Sequence, residues 1–263
     1  MRIGSDAACP RLLVVVAHPD DETFGCGSLL AHAADRGAVT RVVCATRGEQ
    51  GESADGRLTG DELAAAREAE LREAAALLAV DQVEILSWRD SGMDGEAAPG
   101  TFFAAPPDEV AGAIAAVVDD FEPSVVVTLD GSDGHRDHAH VRDATLLATD
   151  RARWRVPRVY VQGLPQRLMR KWVDRLRAEQ PDSPYLALGD LGTPDDDITT
   201  VIDTSAFLAL RERAIAAHAT QTSPFEVMPP DVRREFLSRD YLRRVRPVWT
   251  GGRREADIFR GDS

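Results

Sequence analysis

Leu12-Leu13-Val14-Val15-Val16-Ala17-His18-Pro19-Asp20-Asp21-Glu22 is the stretch whose reading decides the fold. Its first six residues form an unbroken, largely β-branched apolar run, which predicts a strand buried on both faces of a parallel sheet. The five that follow place an imidazole and three carboxylates in the turn that leads into a helix. A second apolar run, Val125-Val126-Val127-Thr128-Leu129, is followed by a glycine-bearing turn and then His135-Arg136-Asp137-His138. In an open α/β sheet, ligands bind beyond the carboxyl ends of the strands. Two strand ends that both carry His and Asp therefore predict one shared site. The residue types point to a metal hydrolase.

Outward from these two runs, apolar strands and helical patterns alternate. Strands are expected at 12–17, 39–46, 82–86, 124–129 and 158–161, with helices at 23–36, 61–79, 107–121 and 138–153 between them. Such alternation implies βαβ units with right-handed crossovers. The predicted class is α/β, Rossmann-like, with a mostly parallel sheet flanked by helices. One unit over 1–263 is expected, with a core at about 10–221 and an irregular C-terminal extension at 222–263. A further helix is expected at 205–220. The long polar loops 49–60 and 89–107 and the Pro-rich stretch 223–230 are candidate lids.

In the first cluster, His18 and Asp21 lie three apart, where side chains of a first helical turn share a face. Zinc accepts such a nitrogen and oxygen pair and keeps a position open for water. Asp20 is then free to take a proton. The competing reading is that Asp20 or Asp21 merely caps the helix. A nucleotide-binding reading of Gly25-Cys26-Gly27 is weak, because Leu30 stands where a third glycine is needed. Asp20, Asp21 and Glu22 would also repel a pyrophosphate. In the second cluster, one of His135 and His138 can be a third ligand while the other faces the reacting group. Asp137 can fix the tautomer of a ring. The aromatic residues Trp88, Phe102 and Phe103, with Met93, are candidates for an acceptor pocket or plain core.

The net charge of −13 argues against a nucleic-acid partner and an anionic membrane surface. No run approaches the roughly 20 apolar residues that span a bilayer. Residues 1–10 lack the pattern of a signal peptide. Cys9, Cys26 and Cys44 have neither disulfide-framework nor zinc-thiolate spacing. A cytoplasmic location is expected, with homo-oligomerisation left open.

Ala17-His18-Pro19-Asp20-Asp21-Glu22 and Gly134-His135-Arg136-Asp137-His138 resemble the paired signatures of the LmbE/PIG-L family. Its members are zinc-dependent deacetylases of N-acetylglucosamine-type amides. The resemblance extends to Thr46-Arg47-Gly48-Glu49-Gln50-Gly51, to Arg67-Glu68, to Arg89-Asp90-Ser91-Gly92-Met93 and to His218-Ala219-Thr220-Gln221. It implies zinc on His18, Asp21 and His138, with Asp20 as general base. It further implies that His135, protonated and oriented by Asp137, stabilises the oxyanion or protonates the leaving amine. Arg67 and Asp90 would bind sugar hydroxyls. The alternative for Arg67 is a structural salt bridge. His218 is read either as a substrate-binding residue or as a satisfied core histidine. One position departs from the thiol-cofactor branch of the family, where a tyrosine stands in place of Asp133.

The expected reaction is removal of an N-acetyl group from an amino-sugar conjugate, a small-molecule substrate. The expected metal is Zn²⁺, though an N/O site also suits Fe²⁺ or Mn²⁺. The alternatives are an amidase acting on another N-acylated molecule, such as a cysteine conjugate, and a sugar- or metal-binding homologue without catalysis.

Overall fold

The order of strands explains why the two clusters meet. In this computed structural model, which describes residues 9–93, 95–179, 181, 186 and 191–260, seven strands form one sheet. They are β1 (Arg11–Val16), β2 (Val39–Cys44), β3 (Gln82–Ile85), β4 (Val125–Thr128), β5 (Arg158–Gln162), β6 (Thr200–Asp203) and β7 (Arg239–Arg246). Their order is β3-β2-β1-β4-β5-β7-β6. The first five strands are parallel, and β7 lies antiparallel to both β5 and β6. The chain winds outward from β1 to β3, then crosses to β4. The order reverses between β1 and β4, and the crevice at such a reversal is where α/β sheets hold ligands.

Helices α1 (Asp21–Asp35), α2 (Gly60–Leu77), α3 (Pro107–Phe121) and α4 (Arg136–Arg151) connect the parallel strands. After β5 come α5 (Gln166–Glu179), α6 (Leu208–Ala217) and α7 (Pro230–Leu237). On the sheet, α3 packs against α4, while α6 packs against α1 and α2. The apolar runs of β1 and β4 are buried throughout, as a strand covered by helices on both faces must be. Leu12, Val14, Val125 and Val127 pair across the crevice in register, Leu12 beside Val125 and Val14 beside Val127.

The five expected strands and the first four expected helices are all present, displaced by no more than two residues at any end. Two displacements matter: α1 begins at Asp21 and α4 at Arg136, so each metal-ligand candidate sits in or beside a first helical turn. The helix expected at 205–220 is shorter, a 3₁₀ turn (Ser205–Phe207) running into α6. The tail after residue 221 adds α7 and β7 to the architecture. β7 reads as Arg239-Asp240-Tyr241-Leu242-Arg243-Arg244-Val245-Arg246, and its arginines obscure the alternation of a strand. They find partners on folding: Arg244 donates to Glu255 at 2.6 Å in a buried pair, and Arg246 reaches Asp150 at 2.6 Å. Among the described residues, no helix is long and apolar enough to cross a membrane.

The loop expected as a lid at 89–107 is docked. Arg136 donates to the carbonyls of Gly92 and Gly95 at 2.8 Å each and also to that of Ser91. Phe102 from the same loop is fully buried and edge-on to His140.

Candidate active site

The turn from β1 into α1 is bent into an uncommon shape. Asp20 precedes the helix with φ 121° and ψ −31°, outside the regions L-residues favour. Its side chain makes no capping bond to the helix, so the capping reading fails for Asp20. Asp21 turns back instead: its Oδ2 accepts from the backbone N–H of His18 at 2.8 Å. That bond closes the turn and brings the carboxylate beside the imidazole.

The turn from β4 into α4 delivers the remaining imidazoles. His135 precedes the helix and its Nδ1 accepts from the backbone N–H of Asp137 at 3.2 Å, so a ring nitrogen serves as the helix cap. The bond settles the tautomer, because an accepting Nδ1 leaves the proton on Nε2. His138 lies in the first turn of α4, three residues on.

Two ring nitrogens and both oxygens of one carboxylate converge from the two turns. His18 Nδ1 lies 3.3 Å from His138 Nε2, His138 Nε2 lies 3.2 Å from Asp21 Oδ1, and His18 Nδ1 lies 3.5 Å from Asp21 Oδ2. A tetrahedral zinc with bonds of about 2.0–2.1 Å needs its ligand atoms about 3.3–3.4 Å apart. The three side chains fit such an ion. His135 is close by, its ring 4.6 Å from those of both His18 and His138, and it too falls within metal-holding distance of them. Its Nδ1, however, is engaged as the cap of α4.

The other ring nitrogens of His18 and His138 are held by carboxylates. His18 Nε2 faces Asp137 at 3.3 Å and Asp90 at 3.4 Å. His138 Nδ1 faces Asp133 Oδ2 at 2.5 Å. Carboxylates in this position fix the ring and raise its basicity toward a metal. Two expectations change here. The carboxylate of Asp137 bonds His18 and the Ser91 N–H, whereas only its backbone N–H reaches His135. Asp90, expected to bind a sugar, accepts from Gln50 and Gly92 N–H and faces His18 from a buried position.

Arg67, on α2, takes the salt-bridge alternative. It donates to the carbonyls of Pro19 at 2.7 Å and Gly48 at 3.0 Å and to Asp20 Oδ2 at 3.1 Å, and it is 4% exposed. Gly48 and Gly51 make room for it: a Cβ on either would stand within 2.6 Å of the guanidinium. His218 is the core histidine. It is 1% exposed, bonded to Glu22 Oε1 at 3.0 Å and lies edge-on to Phe24. Burial works against its charge, but Glu22 raises its pKa.

The electrostatics separate the groups into roles. Burial pushes the Asp20 carboxyl up to about 6, with Arg67 pulling down and Asp21 adding to the rise. Asp21 moves the other way: burial opposes its charge, but His138 and His18 hold it well below the ordinary carboxylate range. His138 rises to about 10 against burial, through Asp21 and Asp133. His18 is also raised, against burial, through Asp137, Asp21 and Asp90. His135 falls to about 4, first through burial and then through the charges of its two neighbours.

A cavity of about 280 Å³ borders the cluster. Asp21, His135 and His138 line one end, and Phe24, Met169, Trp172, Phe225, Met228 and Phe236 form much of the rest. Of the pocket residues expected from the sequence, Met93 reaches this cavity; Trp88 and Phe102 lie tilted against each other elsewhere, their ring centroids 5.8 Å apart. Arg67, Asp90 and His218 do not line it. Sequence reading missed the aromatic wall because its residues are scattered from position 24 to 236. It noted Asp133 as a departure without its contact to His138.

Residues 13–149 match the family described as PIG-L, GlcNAc-PI de-N-acetylase. The chain is 39% identical over 239 residues to a 1D-myo-inositol 2-acetamido-2-deoxy-α-D-glucopyranoside deacetylase of Mycobacterium sp. (strain KMS), covering 81% of this chain and 75% of that one. It is 34% identical to the protein of the same description from Acidothermus cellulolyticus, over 95% of this chain and 94% of that one. Among solved structures, the conserved protein TT1542 of Thermus thermophilus superposes with a TM-score of 0.57 at 25% identity, over 90% of this chain and 94% of that one.

Proposed function

The chain belongs to the PIG-L (LmbE) family, and from that premise we propose that it hydrolyses the N-acetyl group of an N-acetylglucosamine-type conjugate with the help of a divalent metal, zinc before Fe²⁺ or Mn²⁺. The observation that carries the reading is the convergence of His18 Nδ1, His138 Nε2 and the two Asp21 oxygens, with contacts of 3.2–3.5 Å. These residues would hold the ion. A bound zinc supplies water acidified to a pKa of about 7 and a Lewis acid for the amide carbonyl.

The chain's own groups account for the proton movements. Asp20, with a carboxyl at about 6, is ionised at neutral pH and basic enough to take the proton of the attacking water. Arg67 fixes the position of that carboxylate from a buried, triply bonded seat. As the carbon–oxygen bond forms, the carbonyl oxygen gains charge. Neutral His135 donates its Nε2–H to that oxygen and needs no change of protonation to do so. The proton on Asp20 then passes to the amide nitrogen, the carbon–nitrogen bond breaks, and acetate and a free amine leave.

Amine release from N-acetylglucosamine conjugates, measured with and without metal, tests the reading. Asp20→Asn should keep the metal and lose about 10²–10⁴ in turnover. A variant with near-wild-type rate would remove Asp20 from the role of base.

A further inference from the structure

We infer that the substrate carries an apolar group beside its reacting amide, and that the cavity between α1, α5 and α7 receives it. The inference rests on the hydrolytic reading for its orientation, because the metal ligands Asp21 and His138 form one end of the same cavity. Away from that end the wall is aromatic and thioether: Phe24, Met169, Trp172, Phe225, Met228 and Phe236. Four of these, Met169, Trp172, Phe225 and Phe236, are no more than 7% exposed, so the wall is set into the body of the protein.

Two of the polar groups on the wall are already engaged by the protein, while Ser132 Oγ is left to a single partner at most from a ligand. Gln162 Nε2 donates to the Gly25 carbonyl at 3.1 Å, and Asp130 Oδ2 accepts from Thr193 at 2.7 Å. A polyhydroxylated group placed here would bury hydroxyls with few partners, which is unfavourable. An apolar group meets matching surface, and two methionines let the wall adapt to its shape. Size agrees. An apolar cavity of about 150 Å³ is enough to hold benzene, and this one is about 280 Å³. The space takes a phenyl ring or a medium alkyl chain in addition to the atoms at the reacting end.

The apolar group has two chemical sources: the aglycone of the amino sugar, or the acyl group on its nitrogen. One experiment separates them. Methyl and hexyl N-acetylglucosaminides, and N-acetyl and N-hexanoyl glucosamine, are given to the metal-loaded enzyme. Amine release and calorimetric binding are both read. The expected result is a preference of at least about tenfold for one hexyl-bearing compound over its short partner. Preference within the glycoside pair assigns the cavity to the aglycone, and preference within the amide pair assigns it to the acyl group. Met228→Gln, a change on a half-buried position, should shrink that ratio toward one. Equal rates and equal binding within both pairs would overturn the inference while leaving the hydrolase reading intact. Tighter binding of a hexyl compound with no amine release from any of the four would support the cavity's role and sink the hydrolase reading alone.

Discussion

The two ends of the cavity are built on opposite principles. The end proposed to hold a metal is made from two short turns, 18–22 and 133–138, in which every imidazole has a carboxylate or backbone partner. The apolar end is assembled from α1, α5, α7 and the stretch 223–230, and packing alone defines it. The first holds charges in fixed relation, so a single lost partner is felt strongly. The second is broad and tolerant. Chemistry is concentrated in a few neighbours, whereas selectivity is spread over much of the chain.

Arg67→Met should break this contrast most severely. It leaves the partly buried Asp20 carboxylate without its cation, and stability should fall by up to about 3 kcal/mol, read by denaturant unfolding. Adding Asp20→Asn should recover part of that loss. No recovery would show that Arg67 acts mainly through its bonds to Pro19 and Gly48. Next in size is Asp133→Asn, which weakens the hold on His138 Nδ1. Metal affinity should drop about 10–100-fold in competition with a chromophoric chelator. An unchanged affinity would mean that the 2.5 Å contact only orders the loop.

Proton release sharpens the comparison further. Without metal, His138 titrates at about 10 and is charged at pH 7, and His18 is raised above its ordinary value. A metal binds only the neutral rings, so loading at pH 7 should release at least one proton, measured by calorimetry in buffers of different ionisation enthalpy. The sign for stability follows. A histidine raised from 6.5 to about 10 contributes fully below 6.5, and its contribution is lost as pH rises through about 10. Metal-free protein should therefore lose stability between pH 7 and 10 more steeply than loaded protein. The smallest effect belongs to the apolar end. Met228→Ala should cost about 1 kcal/mol or less and leave metal affinity unchanged.

The same contrast sets what could be read from the sequence. His18 to Glu22 and His135 to His138 are contiguous, and each follows an apolar strand, so the local pattern announced both the sheet and the two clusters that meet at its strand ends. The strand alternation up to β5 was equally plain, because Val and Leu runs are buried on both sides. Roles that depend on a partner across the fold were not legible. Asp137 faces His18 rather than His135, and Arg67 serves Asp20 rather than solvent, because α2 and the loop 89–93 come to the site from elsewhere. β7 showed no clear alternation, since its arginines are matched only after the tail has folded back, whereas the stripe Leu168, Met169, Trp172 and Leu176 of α5 was present in the sequence and passed over among its charges. The cavity wall needed the complete fold.

The placement of β7 also bears on biosynthesis. β6 joins the sheet through β7, which lies between it and β5, yet β7 emerges from the ribosome some forty residues later, by about the separation of Thr200 from Arg239. The five parallel strands and the turns that carry His18, Asp21 and His138 are all synthesised before that. β6 can join the sheet only once β7 has followed it. A nascent chain can thus bring its two strand-end turns together first and enclose the apolar chamber later, when α7 supplies Phe236 to the wall.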